Sequence, residues 1–185
     1  MTNFDLYIAK WKASTLLPEK QVEDIHKKWQ NQIQQDIQML HQIEFAERSF
    51  FDGLFTMVLP NSLLEEKEEL TQGMHFYSHK EKIALSLRFV ENASVPEPEK
   101  LKTDYITKMK SSKQQTEIEE DGVIASHIGS VYYFLASHAM PKEKQYNFAV
   151  LFLAHGQTVI MDFSFCESQM MLWKVMLRRL IKTIR

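Results

Sequence analysis

The stretch that decides the fold is 146-YNFAVLFLAHGQTVIMDFSFC-166, in which two apolar runs flank the tripeptide His155-Gly156-Gln157. Successive side chains of a strand point to opposite faces of its sheet, and in the first run both sets of alternate residues are apolar. A strand with two apolar faces lies inside a sheet that is covered on at least one side. A short Gly-containing segment between two such runs is typical of a hairpin turn. The stretch therefore predicts a β-hairpin with Tyr146 to Ala154 as a central strand and Thr158 to Phe165 as its partner.

Other segments with a period of two precede this hairpin. The clearest runs from Ile83 to Phe89, where large apolar side chains alternate with Ala, Ser and Arg, as in a strand with one buried face. Phe50 to Gly53 supplies a turn before another alternating run, so a hairpin is predicted there as well. Consecutive strands joined by short turns give an antiparallel sheet. In all, strands are predicted at 55–59, 74–78, 83–89, 117–120, 123–128, 131–138, 146–154 and 158–165, with breaks at Asp121-Gly122, Gly129-Ser130 and 141–144 between the later ones.

Helical periodicity appears between and after these strands. Ser62 is predicted to cap a short helix that ends at Leu70, and Ser168 to cap the last helix of the chain. A helix opening near Pro98 carries an apolar face formed by Leu101, Tyr105, Ile106 and Met109. The apolar face of the last helix comprises Trp173, Leu177, Leu180, Ile181 and Ile184. The class is α+β, an antiparallel sheet with helices packed on it.

Residues 1–44 are predicted to form an N-terminal helical extension, followed by the antiparallel α+β domain at 45–185. The second helix of the extension begins at Pro18 and carries a stripe of large apolar side chains: Val22, Ile25, Trp29, Ile33, Ile37 and Leu40. Each such side chain gains roughly 1.5–3 kcal/mol from full burial, so the stripe needs a cover. The preferred cover is the chain's own sheet. A second copy of the chain is the alternative, and it would make the protein a homo-oligomer.

Composition excludes several classes of protein. The 185 residues are 44% hydrophobic, with 22 basic against 24 acidic side chains, which is not the signature of disorder. No nucleic acid partner is expected, because phosphate binding depends on clustered Lys and Arg. The longest strongly apolar stretch, Phe148 to Ala154, is about a third of the roughly 20 residues of a membrane-spanning helix, and no secretory signal is recognised. A cytoplasmic protein without membrane insertion is expected.

The histidines suggest no metal site. His75 lies in the strand predicted at 74–78 and His79 directly follows it; residues four apart in an extended segment are separated by about 13 Å. His26 and His41 lie on the second helix, about 22 Å apart along its axis. Neither pair can bind one metal ion.

No nucleophile or cofactor motif is recognised either. The single cysteine, Cys166, ends an apolar strand with nothing adjacent to lower its pKa, so an inert thiol is predicted. Ser126 and His127 are strand neighbours that point to opposite faces, so they cannot act together. The acidic run 117–121 is interpreted as a solvated strand edge rather than a cation site. No phosphate-binding glycine motif is present. The sequence therefore predicts no catalytic residue, no metal and no cofactor.

Two strings resemble the DcrB-like and PsbP-like superfamily, which includes a Ran-binding nuclear import factor. They are 49-SFFDGLFTMVLPNSL-63, a Gly before an alternating strand that ends in Leu-Pro, and the hairpin 146–166 followed by a Trp-containing helix. The resemblance runs from about residue 49 to 185 and leaves the N-terminal extension unmatched. It implies a final hairpin followed by a helix on the sheet. It also implies a non-catalytic role, as a secretion-system accessory protein that shields apolar helices of an effector or as an extrinsic subunit of a larger assembly.

The leading functional hypothesis is a non-catalytic, cytoplasmic protein-binding or chaperone-like accessory module, with a bacterial secretion system as one setting. Methionine-rich surfaces adapt to varied apolar partners, although filling of the core also explains methionines. The residues predicted to bind a partner are Trp29, Ile33, Met170, Met171 and Met176. The alternatives are a small enzyme with an unrecognised histidine and carboxylate pocket, and a self-associating structural protein.

Overall fold

The structure is a computed structural model, and it describes residues 27, 31, 42–64, 66–70, 73–90, 98–111 and 116–185. The chain divides into two units, Met1–Ile43 and Glu44–Arg185. The elements below all belong to the second unit. The predicted N-terminal helices lie outside the described residues, except that positions 27, 31 and 42 are helical. No helix in the described part of the chain is long and apolar enough to cross a membrane.

A seven-stranded antiparallel sheet forms the body of this unit. The predicted hairpin is at its centre as β8 (Gln145–Ala154) and β9 (Gln157–Cys166). His155 and Gly156 join the two strands and both have positive φ, as a type I′ turn requires. Every residue of β8 at 148–152 is buried, which confirms a strand with two apolar faces. The other strands are β3 (Glu66–Leu70), β4 (Gly73–Ser78), β5 (Ile83–Val90), β6 (Thr116–Ser126) and β7 (Gly129–His138), in the spatial order β3-β4-β5-β9-β8-β7-β6.

A second, two-stranded sheet is formed by the predicted hairpin of β1 (Phe45–Phe50) and β2 (Phe55–Pro60). Its free edge is held by the last residue of the chain. Thr56 and Arg185 exchange two backbone hydrogen bonds of 2.7 and 3.1 Å. The Arg185 guanidinium also donates to both carboxylate oxygens of Glu47 at 2.7 Å. The hairpin is thus fastened to the C-terminal segment.

Two helices of more than ten residues pack on opposite faces of the seven-stranded sheet. Helix α1 (Pro98–Ser111) lies on β6, β7 and β8, where its predicted apolar face meets a small buried cluster. Helix α2 (Met170–Leu180) lies on the other face together with the β1–β2 hairpin, and the main core is between them. Trp173 is fully buried there, and its Nε1 donates a hydrogen bond to the carbonyl of Glu81 at 3.2 Å. The α+β architecture predicted from the sequence is confirmed.

The helix predicted from Ser62 to Leu70 is wrong. Only Asn61–Leu64 is helical, as one 3-10 turn, and Glu66–Leu70 is strand β3, antiparallel to β4. Local propensity favours a helix in this Glu- and Leu-rich segment, but pairing with β4 supplies backbone hydrogen bonds that propensity cannot anticipate.

The break predicted at Asp121-Gly122 is also wrong, because β6 runs unbroken to Ser126. The turn that follows lies at His127-Ile128 and not at Gly129-Ser130. Gly122 has a packing role instead. A Cβ at Gly122 would lie 3.0 Å from the hydroxyl oxygen of Tyr133 on the neighbouring strand, so a glycine permits the close approach of that ring.

Ser168 does not cap α2. A 3-10 turn at Glu167–Gln169 precedes the helix, and Gln169 occupies the N-cap position without a side-chain hydrogen bond. The 3-10 turn is held by a hydrogen bond to another segment of the chain, because the backbone N–H of Glu167 donates to the carbonyl of Lys144 at 2.9 Å. A contact distant in sequence therefore sets where this helix begins.

Candidate functional site

Helix α2 has a buried inner face and an exposed outer face. The inner face comprises Leu172, Trp173, Met176, Leu177 and Leu180. This corrects one predicted partner-binding residue, since Met176 is 5% exposed and belongs to the core. Met170 is half-buried at the first turn of the helix. Met171 is 55% exposed and lies on the outer face.

The outer face of α2 combines apolar and basic side chains. Met171 and Val175 lie one helical turn apart and are 55% and 39% exposed. Residues four apart share one face of a helix, so the exposed Arg179 continues this face, and the exposed Lys182 follows it in the 3-10 turn Ile181–Thr183 after α2. Neither cation forms an ion pair with any residue that the structure describes. We call Met171, Val175, Arg179 and Lys182 the α2 strip.

Beside this strip, the Glu120 carboxylate joins α2 to the edge strand β6. Lys174 Nζ lies 2.9 Å from Glu120 Oε2, and Arg178 pairs with Oε1. The Tyr133 hydroxyl donates to Oε1 at 2.7 Å. The Arg178 guanidinium also lies over the Tyr133 ring, 5.9 Å from its centroid, and that ring stacks on Phe148. We call Glu120, Tyr133, Lys174 and Arg178 the Glu120 clasp.

A β-bulge explains why Glu120 points toward α2. The register of β6 against β7 shifts between Ile118 and Glu120, and an extra residue changes which side chains face which side of the sheet. Burial lowers the pKa of Lys174 and raises the pKa of the Tyr133 hydroxyl. The clasp therefore pairs two cations of α2 with Glu120, whereas the two cations of the α2 strip have no ion pair with any described residue.

The rest of the acidic run lies on the edge strand β6, as predicted. Asp121 pairs with Lys102 of α1 at 2.7 Å. Lys144 lies 3.6 Å from Glu117 and 3.9 Å from Glu119. Charged side chains on an edge strand oppose pairing with another chain. In the part of the chain that the structure describes, no group of three or more His, Cys, Asp or Glu side chains is placed to hold a metal ion.

The sheet face that carries α1 also holds a carboxyl group, Asp162 of the central strand β9. Asn147 Nδ2 donates to Asp162 Oδ1 at 3.0 Å and to Ser164 Oγ at 2.8 Å. The Tyr105 hydroxyl donates to Asp162 Oδ2 at 3.4 Å. Burial raises the pKa of Asp162, against the opposing effects of these hydrogen bonds and of Arg88.

A histidine and a serine accompany this carboxyl group. His75 Nδ1 lies 2.9 Å from Ser86 Oγ, and Ser86 is directly opposite Asp162 in the register of β5 against β9. In a catalytic triad the histidine lies between the serine and the acid, so that it can accept the serine proton. Here the serine lies between the histidine and the acid. The three side chains therefore do not have the order of a catalytic triad.

The other chemically reactive candidates are accounted for by packing. The His79 ring, in the turn after β4, lies edge-on to Tyr77 with centroids 4.3 Å apart. Burial and the neighbouring Glu143 raise the pKa of the Cys166 thiol, which lowers the thiolate fraction and hence its reactivity. Trp29 and Ile33, the remaining predicted partner-binding residues, lie outside the described residues.

Sequence reasoning missed Asp162 and Glu120. A signal existed for Asp162, since it is the single charged residue in the apolar run Thr158 to Phe165, and a charge in an interior strand needs partners. Glu120 carried no such signal. Its orientation depends on a bulge, and it is one of three neighbouring glutamates.

The described elements form an α+β fold, an antiparallel sheet with a helix on each face, and solved structures share this fold. Cyanobacterial PsbP (CyanoP) from Synechocystis sp. PCC 6803 matches with a TM-score of 0.58 and 11% identity, over 77% of this chain and 92% of that one. The Saccharomyces cerevisiae Ran-binding protein Mog1p matches with a TM-score of 0.55 and 8% identity, over 78% and 96%. No family model matches the sequence, and no curated protein is significantly similar to it. At these identities the likeness establishes the fold alone.

Proposed function

We propose that this protein is a non-catalytic protein-binding module and that the α2 strip is where its partner binds. One observation carries the proposal. Met171 and Val175 are exposed on a helix whose other large apolar side chains are mostly buried. Adjacent apolar side chains on a polar surface mark interaction sites.

The charge of the strip indicates the kind of partner. Arg179 and Lys182 follow the apolar pair along the same face and have no counter-charge in the described chain. A partner that places apolar side chains on Met171 and Val175 would meet these cations next. An amphipathic helix with acidic residues flanking its apolar face satisfies both requirements.

The Glu120 clasp supports the same proposal. Lys174 and Arg178 flank the strip, and their ion pairs with Glu120 tie α2 to β6. Trp173 anchors the opposite side of the helix in the core. A surface held in its binding geometry before the partner arrives loses less conformational entropy on binding.

We further propose the setting that the sequence suggested, a cytoplasmic, chaperone-like accessory protein that shields an apolar helix of its client, with a bacterial secretion system as one such setting. The support is the resemblance to the PsbP-like superfamily and the fold shared with Mog1p, whose name describes it as Ran-binding. Association of two copies through the N-terminal stripe stays a prediction.

The test uses the tagged full-length chain as bait in extract of its native cells. A stoichiometric partner identified by mass spectrometry should be captured by the wild-type protein and lost with Met171→Glu/Val175→Glu. Arg179→Glu/Lys182→Glu should weaken capture, and added salt should weaken wild-type capture, because the charges are exposed.

The matched control is Val123→Glu/Leu153→Glu. These two side chains are 54% and 47% exposed, lie on strands, and face the side of the sheet opposite α2. This variant should capture the partner as well as the wild type does. The assignment of the α2 strip would be refuted if the control variant lost as much captured partner as Met171→Glu/Val175→Glu does. It would also be refuted if Met171→Glu/Val175→Glu captured as much partner as the wild type.

A further inference from the structure

The edge strand β6 has two halves with different surfaces. Its first half, Glu117 to Asp121, carries the carboxylates that oppose pairing with another chain. Its second half, Gly122 to Ser126, carries no charged side chain, and Val123 in this half is 54% exposed. Strand β6 is the last strand of the described sheet, so no described strand pairs with its outer edge. An uncharged, exposed edge is a surface to which a further strand can be added.

The hydrogen bonding of β6 determines which backbone groups point to this outer edge. Ser126 and Gly129 close the two-residue turn to β7, and the closing pair of such a turn exchanges backbone hydrogen bonds. Bonded and non-bonded pairs alternate along an antiparallel ladder, so the even-numbered residues of this half bond to β7. Counting from the β8–β9 turn through the registers of β8 and β7 gives the same assignment. The backbone N–H and C=O groups of Asp121, Val123 and Ala125 therefore point away from the sheet.

The segment 121–125 is complementary in shape to a second copy of itself. When two copies lie antiparallel with Val123 opposite the Val123 of the other copy, all three outward-pointing residues of each copy have a hydrogen-bonding partner. On the face of the sheet that carries α2, Ile124 then lies opposite Gly122, which leaves room for the larger side chain. Large residues therefore meet small ones in this register, and they do so twice because the pairing is symmetric.

The charges of β6 favour the same register. A shift of the centre to Asp121 would place two carboxylates directly opposite each other, which is unfavourable. With Val123 at the centre, the two Asp121 side chains lie at opposite ends of the paired segment, and each forms its ion pair with Lys102 of its own chain at 2.7 Å. Glu117 and Glu119 extend past the end of the other copy's strand. The acidic half of β6 thus limits the pairing to the uncharged half.

We propose that the 121–125 edge of β6 binds the same edge of a second copy of this chain, so that the two seven-stranded sheets form one continuous sheet across a two-fold axis. Five residues of each strand make an interface far smaller than the roughly 1,600 Å² of a stable complex. The dimer is therefore weak and reversible. This inference goes beyond the proposed partner binding and involves no residue of the α2 strip.

The first test is sedimentation velocity of the full-length chain from about 5 µM to about 1 mM. The expected result is a reversible monomer–dimer equilibrium with a Kd of about 0.05–0.5 mM. Amide hydrogen exchange followed by NMR then locates the interface. The amides of Val123 and Ala125 should be protected at high protein concentration and exchange rapidly at low concentration. The amide of Ile124, which bonds to β7, should be protected at both concentrations.

Two variants of the central residue test the pairing. Val123→Lys should weaken association at least about tenfold, because a lysine on an edge strand opposes pairing, and should leave the urea midpoint unchanged, because this side chain is exposed. Val123→Pro removes an N–H that points away from the sheet, so it should also give a monomer. The matched control is Leu153→Lys. Leu153 is 47% exposed on the same face of the sheet, but it lies on the interior strand β8, so this variant should associate as the wild type does.

The proposal is overturned if the wild type stays monomeric at about 1 mM, or if Val123→Lys associates as tightly as Leu153→Lys. It is also overturned if protection of the Val123 amide does not change with protein concentration, since association would then use another surface. Val123→Lys and the exchange data decide the matter even if Val123→Pro fails to fold. Partner capture by the α2 strip is measured separately, and its Val123→Glu/Leu153→Glu control should capture the partner as a monomer, so failures of the two proposals are distinguishable.

Discussion

Replacing Glu120 by glutamine is expected to destabilise the protein far more than the replacement of other acidic residues on β6. The Glu120 carboxylate interacts with Lys174 Nζ at 2.9 Å, with the Tyr133 hydroxyl at 2.7 Å and with Arg178. Glutamine keeps the shape and one oxygen acceptor but removes the charge that balances two cations. Lys174 and Arg178 would then be left partly buried without the counter-charge of Glu120.

The expected loss can be estimated from the burial of the clasp. A hydrogen bond to a charged group contributes about 1.5–3 kcal/mol, and breaking a fully buried ion pair costs about 3–5 kcal/mol. The Glu120 side chain is 21% exposed, Lys174 is 16% and Arg178 is 33% exposed, so solvent screens part of the interaction. We expect Glu120→Gln to lower the free energy of unfolding by about 2–3 kcal/mol, which corresponds to roughly 4–12 °C in Tm.

Urea unfolding of the full-length chain, followed by circular dichroism, measures this change as a lower midpoint with an unchanged slope. The matched control is Glu117→Gln on the same strand, whose side chain is 63% exposed and lies 3.6 Å from Lys144. Its midpoint should equal that of the wild type, because exposed pairs contribute little. A double-mutant cycle of Glu120→Gln with Lys174→Met isolates the pair itself.

Two results would refute this reasoning. One is a midpoint for Glu120→Gln that matches that of Glu117→Gln. The other is additivity of Glu120→Gln and Lys174→Met, which would mean that the two side chains do not stabilise α2 together.

Two further predictions concern other parts of the sheet. Burial raises the pKa of Asp162, so as pH rises the unfolded chain loses this proton before the folded protein does, and the free energy of unfolding of the wild type falls. Asp162→Asn has no such proton, so its stability relative to the wild type should increase from about pH 4 to about pH 7 in urea titrations. A stability difference that does not change with pH would contradict this prediction. Gly122→Val should lower the free energy of unfolding by about 1–3 kcal/mol, because a Cβ would lie 3.0 Å from the hydroxyl oxygen of Tyr133, whose side chain is held by the Glu120 clasp and by Phe148. Strand propensity alone predicts that valine stabilises β6, so a raised urea midpoint would show that the ring moves freely.

Features with a local cause could be predicted from the sequence. The β8–β9 hairpin, strand β5 and the apolar faces of α1 and α2 all follow from side-chain periodicity, which each segment carries in itself. The same periodicity also separates two of the predicted partner-binding residues: Met176, three residues after Trp173, falls on the apolar face of α2 and is buried, whereas Met171 falls off that face and is exposed. Grouping both as partner-binding residues therefore passed over a signal that the sequence contained.

The sequence by itself therefore determined the class, the antiparallel order of the later strands and the absence of a recognisable catalytic motif. Only the tertiary structure decided that Glu66–Leu70 is a strand and that a bulge turns Glu120 toward α2. The physical reason is the range of the interactions. Side-chain periodicity depends on residues that are close together in the sequence. Strand pairing, bulges and cavities depend on segments that are distant along the chain and meet only when it folds.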